Sequence, residues 1–152
     1  MYTDLYRALG ADPTTMAFSE VFTSLQQGTI DGQENPIDVI HSSKLQEVQD
    51  YITMWNYSYD PLVLGINKKL FESLSAEDQQ MFEKLGKAAG EYQVKIGREN
   101  EIAQIEELKE LGLQFYEPTE ADMEKFSKSV EPVYEKYTEI WGQELLDAFM
   151  DQ

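Results

Sequence analysis

Apolar residues recur at helical spacing over most of the chain. The longest such pattern lies between Ser75 and Gly112, where apolar side chains repeat every three or four residues. Ser75 and Asp78 resemble a capping box, so we expect one long amphipathic helix over roughly 76–111. Such a helix would be about 50 Å long, which exceeds the diameter of a small domain. The length makes sense if the helix crosses into something larger.

Shorter helical patterns lie on both sides of this long helix. Before it, the sequence predicts helices over Tyr2 to Leu9, from Ser19 to Gly28, from Pro36 to about Ile40, and over KLQEVQDYI at 44–52. After it, one helix begins near Thr119 and is expected to kink or restart at Pro132, and a last helix covers 145–149.

Two short apolar runs favour strands instead. PLVLGIN at 61–67 has turn residues on both sides and reads as a buried strand, and LQFYE at 113–117 is the second candidate. With two to four such strands among many helices, the predicted fold class is α/β or α+β, helix-rich with a short mixed sheet.

Composition limits the possible functions. The 152 residues, 41% of them hydrophobic, are enough for one domain with a core. The formal net charge is −17, from 29 acidic against 12 basic residues, and this argues against nucleic acid as a partner. No cysteine is present, which excludes disulfides and thiolate metal sites. MYTDLYRALG does not resemble a secretory signal, so the protein is either cytoplasmic or part of a longer precursor.

The sequence contains little that indicates catalytic activity. His41 is the single histidine, and the adjacent serines do not make a triad, whose members meet by geometry. One histidine also excludes a His-Glu-x-x-His zinc motif, and the glycines form no phosphate loop. We therefore expect no enzyme activity, no metal and no cofactor.

Two stretches suggest ligand binding. IDGQENPIDVI, at 30–40, places Gln33, Glu34 and Asn35 directly before a helix, and capping by Asn35 explains only one of the three. TMWNYSYDP, at 53–61, concentrates aromatic side chains with an amide, as in a ligand pocket or equally in a loop packed on the body.

Taken together, these motifs resemble one family. Met-Ala-Phe-Ser-Glu at 16–20, Asp-Gly-Gln-Glu-Asn-Pro at 31–36, Glu-Val-Gln at 47–49 and LSAEDQQ at 74–80 are similar to the second lobe of the extracytoplasmic solute-binding proteins of TRAP (tripartite ATP-independent periplasmic) transporters. The resemblance covers essentially the whole chain. It implies a two-lobed α/β fold that closes on an organic acid, such as a dicarboxylate, sugar acid or sialic acid, and delivers it to a membrane permease.

The resemblance also implies site residues. Asn35 would donate its side-chain amide to the ligand carboxylate, and Phe18 would pack against the ligand. Trp55, Asn56 and Tyr57 would border the cleft. Gln33 and Glu34 belong to the family motif and are expected to hold the turn by hydrogen bonds.

The chain departs from this family in length. Family members are about twice as long and carry, upstream of the matching region, an arginine that clamps the carboxylate. We therefore expect a C-terminal half, with 1–60 and 101–152 in the second lobe and 61–100 contributing to the first lobe and starting the lobe-spanning helix. The parent protein would be periplasmic or a surface lipoprotein, although this chain shows no signal peptide.

Two further expectations follow from the missing half. Without the clamp arginine, this chain is expected to bind ligand poorly, and apolar surface left exposed on the long helix favours a homodimer. An alternative function is a helical protein-interaction module that uses the long helix and needs no cleft. In that alternative, Phe18 and Asn35 would be plain structural residues.

Overall fold

Helices dominate the computed structural model, which describes residues 1–150. In chain order, the elements are α1 (Tyr2–Ala8), α2 (Phe18–Gln26), α3 (Ile37–Ser42), a 3-10 turn (Leu45–Glu47), β1 (Tyr51–Thr53), α4 (Lys68–Ser73), α5 (Ala76–Glu110), β2 (Gln114–Tyr116), α6 (Glu120–Trp141) and α7 (Gln143–Met150). Within this described part, no helix combines the length and apolarity needed to cross a membrane.

The two strands form a parallel pair. Tyr51 lies opposite Gln114 and Ile52 opposite Phe115. A parallel pair needs a long crossover, which the residues between the strands supply with α4 and α5. The sheet in the described residues is therefore parallel and two-stranded, not mixed as the sequence suggested.

The core lies where α2, α3 and the end of α5 meet this sheet. Leu45 and Leu108 are the most deeply buried side chains, with 1% and 0% exposed. The other members of the cluster are apolar residues of α2, α3 and the strand region: Val21, Leu25, Ile37, Ile40, Ile52 and Leu113. His41 Nε2 lies 3.0 Å from Glu107 Oε2 and joins α3 to α5, as a helix-end histidine would. The residues that position the 31–36 turn are thus anchored in the core.

The long helix is confirmed, because α5 spans 35 residues. Ser75 caps it, with Asp78 N donating to Ser75 Oγ at 3.1 Å. Leu108, near its end, is buried, whereas Phe82 and Leu85 are 52% and 59% exposed. Ile105 is half-buried against the core, whereas the large apolar side chains from Met81 to Val94 are exposed, so this part of the helix has no extensive apolar partner within the described residues.

The strand expected over 61–67 is wrong. The segment has no regular secondary structure and belongs to no sheet in residues 1–150, and Leu62 and Val63 are 87% and 88% exposed. Leu64 runs beside α5, since a Cβ added at Gly86 would lie 4.0 Å from Leu64 Cδ2. The pattern of this apolar run therefore predicts a strand, but no neighbouring strand pairs with it in residues 1–150.

The helix expected over 44–52 is also wrong. Lys44 adopts a left-handed conformation, with φ of 55°, and only a 3-10 turn follows it. Tyr51–Thr53 instead pairs with β2, and Gln114 N donates to Asp50 O at 2.9 Å. Long-range pairing overrides local helix preference at this point.

Several helix boundaries differ from expectation. α2 begins at Phe18 with Ala17 at its N-cap, so Ser19 does not cap it. Asn67 caps α4, a helix that the pattern did not predict, by accepting a hydrogen bond from Leu70 N. α6 runs unbroken past Pro132 to Trp141, so the helix does not restart there. The start at Thr119, with a complete capping box to Asp122, and the terminal helix are both confirmed.

Candidate functional site

An open cavity of about 890 Å³ lies between the turn before α3 and the loop after β1. The turn contributes 31–36 and the loop contributes 54–60, while Tyr6 of α1 and Phe126 of α6 close one side. Four of the five predicted site residues line this cavity, namely Asn35, Trp55, Asn56 and Tyr57. The structure thus brings together two stretches that are separated by about twenty residues in the sequence.

The sequence predicted that Asn35 caps α3, and the structure shows that it does not. Pro36 occupies the N-cap position, and α3 begins at Ile37 without a side-chain cap. The Asn35 amide Nδ2 instead donates to Gln33 Oε1 at 2.5 Å. One amide hydrogen is therefore held by Gln33, and the side chain makes no other hydrogen bond within residues 1–150. A half-buried, oriented amide with a free hydrogen is suited to binding a ligand oxygen.

Aromatic rings form one wall of the cavity. Trp55 and Tyr57 stack with ring centroids 4.3 Å apart and planes 24° apart. Tyr6 meets both rings edge-on, and Phe126 meets Trp55 at 5.2 Å. Asn56 has a positive φ of 45°, a conformation that asparagine adopts more readily than most residues. This local reversal places the rings on either side of Asn56 face to face.

The phenol of Tyr57 places a polar group in this aromatic wall. Its hydroxyl oxygen is buried and lies near Tyr6 and Glu34. Burial raises the pKa of Tyr57 well above its ordinary value, with further contributions from nearby Tyr6 and Glu34. The hydroxyl therefore stays protonated and can donate a hydrogen bond to a ligand or accept one from it.

The charge lining the cavity is negative. Five carboxylates border it (Asp31, Glu34, Asp50, Asp60 and Glu101), and none of the described lining residues is a lysine or arginine. Asp60 accepts hydrogen bonds from Tyr2 Oη at 3.1 Å and Ser58 Oγ at 2.8 Å. No ion pair within residues 1–150 neutralises any of the five.

Phe18 lies apart from this cavity. It is the first residue of α2, is 50% exposed and is not part of the lining. Its contact with a ligand stays a prediction. Within residues 1–150, no group of three or more histidine, aspartate or glutamate side chains is arranged to hold a metal ion.

Tyr6 and Phe126 are cavity residues that sequence reasoning missed. Both occupy apolar positions of helices, so their pattern predicts ordinary core packing. Nothing in their local sequence distinguishes an aromatic ring that lines a cavity from one that fills a core. Only the contact of α1 and α6 with the loop after β1 reveals the difference.

Three features described above are typical of a part of a binding protein. They are the two-stranded parallel sheet, the long helix with an exposed apolar face, and the oriented amide beside an aromatic wall. Residues 1–140 match the family model described as bacterial extracellular solute-binding protein, family 7. The chain belongs to this family of solute-binding transport proteins.

Individual relatives agree with this assignment. A 2,3-diketo-L-gulonate-binding periplasmic protein of Escherichia coli K12 is 38% identical over 82% of this chain and 38% of its own length. A C4-dicarboxylate-binding periplasmic protein of Rhodobacter capsulatus is 32% identical over 93% of this chain and 43% of its own length. A TRAP periplasmic solute-binding protein of Polaromonas sp. JS666, solved with D-erythronate, is 39% identical with a TM-score of 0.86.

The chain spans less than half the length of each of these relatives. The Polaromonas structure aligns with 97% of this chain but only 48% of its own length. The fold described above is therefore a part of the fold that these relatives share.

Proposed function

We propose that this chain supplies one face of the ligand site of an organic-acid-binding protein that serves a TRAP transporter. The observation that carries the proposal is the Asn35 turn, whose oriented amide faces a cavity with an aromatic wall. Relatives bind organic acids according to their names, which include 2,3-diketo-L-gulonate and a C4-dicarboxylate.

Asn35 and the aromatic wall have complementary roles in this proposal. The free amide hydrogen of Asn35 donates to a ligand carboxylate oxygen, and Gln33 fixes the direction of that donor. Trp55 and Tyr57 exclude water beside it, which strengthens the polar contact. Asn56 acts through the backbone, by placing these rings. Contact of Phe18 with the ligand stays a prediction, because Phe18 lies outside the lining of this cavity.

The division into lobes is part of the same proposal. Residues 1–60 and 101–152 form the second lobe, and 61–100 belong with a first lobe that the rest of such a protein supplies. The distribution of buried residues supports this division, because the core cluster draws no member from 61–100. Exposed Leu62, Val63 and Phe82 would then pack against the first lobe.

The parent protein works outside the cytoplasm in this proposal, in the periplasm or as a surface lipoprotein, and passes its ligand to the membrane permease subunits. This chain alone binds weakly, because part of the cleft comes from the other lobe. Its exposed apolar surface favours association with a second copy. Light scattering on the purified chain measures that state directly, and a monomer at all concentrations would count against association.

A calorimetric melt tests the proposed function. The chain is melted alone and with sugar acids and dicarboxylates at matched ionic strength. A ligand at about a hundred times its dissociation constant adds about 2.7 kcal/mol, which moves the midpoint by several degrees. We expect Asn35→Ala to abolish this shift while the ligand-free midpoint changes little, since Asn35 caps no helix.

Gln93→Ala, at an exposed position of α5, is the matched control and should keep the shift. A shift that survives in Asn35→Ala, or one that Gln93→Ala also abolishes, contradicts the proposal.

The second candidate function is a protein-interaction module. The exposed apolar residues of α5, such as Phe82 and Leu85, favour it. In that function Asn35→Ala leaves partner binding intact and no organic acid changes the melt. The same experiment therefore separates the two functions.

A further inference from the structure

The loop after β1, which carries the aromatic wall, is held in place by side chains. Residues 55–66 have no regular secondary structure and make no backbone–backbone hydrogen bond within residues 1–150. Neither the buried members of the core cluster nor the side chains packed against it come from this loop. The position of the Trp55 and Tyr57 rings therefore depends on the side chains that contact them.

α1 provides several of these contacts from one face. Tyr2 and Tyr6 are one helical turn apart, so their side chains lie on the same side of α1. The centroid of the Tyr6 ring lies 6.2 Å from that of Trp55 and 6.0 Å from that of Tyr57. The Tyr2 ring meets Tyr57 edge-on at 6.5 Å, and the Tyr2 hydroxyl donates to Asp60 Oδ1 at 3.1 Å. The place of α1 thus influences the place of the aromatic wall.

α1 itself is not anchored in the core. It has seven residues, none of them buried, and it contributes no side chain to the core cluster. A helix of this length is unstable in water unless tertiary contacts support it. α1 therefore depends on its contacts with neighbouring elements.

Asp4 joins α1 to α6. Lys136 Nζ and Tyr137 Oη of α6 both donate to Asp4 Oδ2, at 2.8 Å and 2.9 Å. These two donors hold the pKa of Asp4 below its ordinary value, so the carboxylate is ionised at neutral pH. α6 also contacts the loop directly, because Phe126 meets the Trp55 ring. One carboxylate thus joins the two helices that contact the aromatic wall.

We infer that Asp4 is a positioning residue of the ligand site, which fastens α1 to α6 and so places Tyr2 and Tyr6 against the aromatic wall. Asp4 lies outside the cavity lining and acts through the rings of α1. The expected effect on ligand affinity rests on the proposed function, whereas the effect on the wall does not.

Acrylamide quenching of Trp55 fluorescence tests this inference without a ligand. Trp141→Phe leaves Trp55 as the single tryptophan and keeps an aromatic ring beside Tyr137. In that background, Asp4→Ala should raise the quenching constant of Trp55 about twofold, because local opening exposes the ring. The melting midpoint should change little, since a partly exposed ion pair contributes little to global stability.

Affinity for D-erythronate, followed by Trp55 emission, is the second measurement. If Asp4→Ala leaves the wall in place in about a third of the molecules, the dissociation constant should rise about threefold, because apparent affinity falls with the competent fraction.

Three further variants show whether the effect passes through α1. Asp12→Ala, the matched control, removes a carboxylate at an exposed position just after α1 and should change neither measurement. Lys136→Gln removes the contact from the α6 side and should act in the same direction as Asp4→Ala. Tyr6→Ala removes the main ring through which Asp4 acts, so adding Asp4→Ala to it should raise the quenching constant much less than Asp4→Ala does alone.

Equal quenching of Trp55 in Asp4→Ala and Asp12→Ala would overturn the inference and leave the proposed function standing. A full additional effect of Asp4→Ala in the Tyr6→Ala background would also overturn it, since Asp4 would then not act through that ring. Binding of D-erythronate that survives Asn35→Ala would instead contradict the proposed function. The two failures are thus distinguishable.

Discussion

Asn35 shows at the residue scale how one side chain can be assigned a structural role by its sequence context and have a different one in the fold. An asparagine before proline and an apolar run predicts an N-cap. In the structure the Asn35 amide donates to Gln33 within the same turn, and Asn35 lines the cavity. The hydrogen-bonding role expected for Gln33 fits this contact, although the capping role of Asn35 does not.

The carboxyl group of Asp122 has a strongly lowered pKa. Its carboxylate accepts hydrogen bonds from Thr119 Oγ1 at 2.6 Å, Tyr116 Oη at 2.7 Å and Lys125 Nζ at 3.2 Å. These contacts hold the pKa of Asp122 well below its ordinary value, and the contact from Thr119 contributes most. The carboxylate joins the start of α6 to β2.

A pH prediction follows for Asp122→Asn. A pKa that is lower in the folded than in the unfolded chain stabilises the fold above the unfolded value, near pH 4, and that contribution is lost as the pH falls below it. The melting midpoint of the wild-type chain should therefore fall more steeply between about pH 5 and about pH 2 than that of Asp122→Asn. Glu124→Gln, on the exposed side of α6, should follow the wild type. Identical slopes for all three proteins would show that Asp122 does not contribute.

At the scale of elements, patterns that repeat over many residues predicted the fold better than short ones. α5 with its cap at Ser75, and the start of α6 at Thr119, are confirmed because helical periodicity and N-caps depend on residues close together in sequence. The run 61–67 and the stretch 44–52 were assigned wrongly, since strand formation depends on a partner distant in sequence. β1 forms because it pairs with β2, and the local sequence of Tyr51–Thr53 does not indicate this pairing.

Two leucines of α5 provide a matched test of which end of the helix contributes to the stability of the fold. Leu108 is 0% exposed within the core cluster, and Leu85 is 59% exposed. Leu108→Ala should lower the free energy of unfolding by about 2 to 5 kcal/mol, because it leaves a cavity in the core. Leu85→Ala should change it by less than about 0.5 kcal/mol. Chemical denaturation of both variants measures the difference, and similar losses would mean that the exposed end is packed in solution.

At the scale of the whole molecule, the chain combines a small core with extensive exposed apolar surface and a net charge of −17. The core cluster lies entirely in the regions that we propose as the second lobe. The chain spans less than half of the length of these relatives, and its longest helix is mostly unpartnered in the described residues, so it corresponds to a part of the fold that they share.

The candidate site could be predicted only in part from the sequence. The 31–36 motif and the 53–61 aromatic stretch identified four residues that now line one cavity. Their proximity, the aromatic contacts of Tyr6 and Phe126, and the burial of the Tyr57 hydroxyl depend on how α1, α6 and the loop after β1 meet. Such contacts arise from tertiary packing, which composition and periodicity do not encode.

Fluorescence of Trp55 tests the central claim, that an organic acid binds in this cavity, most directly. The chain has two tryptophans, and Trp141 lies at the end of α6 outside the cavity lining, so Trp141→Phe leaves Trp55 as the single reporter. We predict a saturable change in Trp55 emission on titration with erythronate, and no such change when Asn35→Ala is added. Constant Trp55 emission at acid concentrations that shift the melt would place the ligand elsewhere and contradict the account.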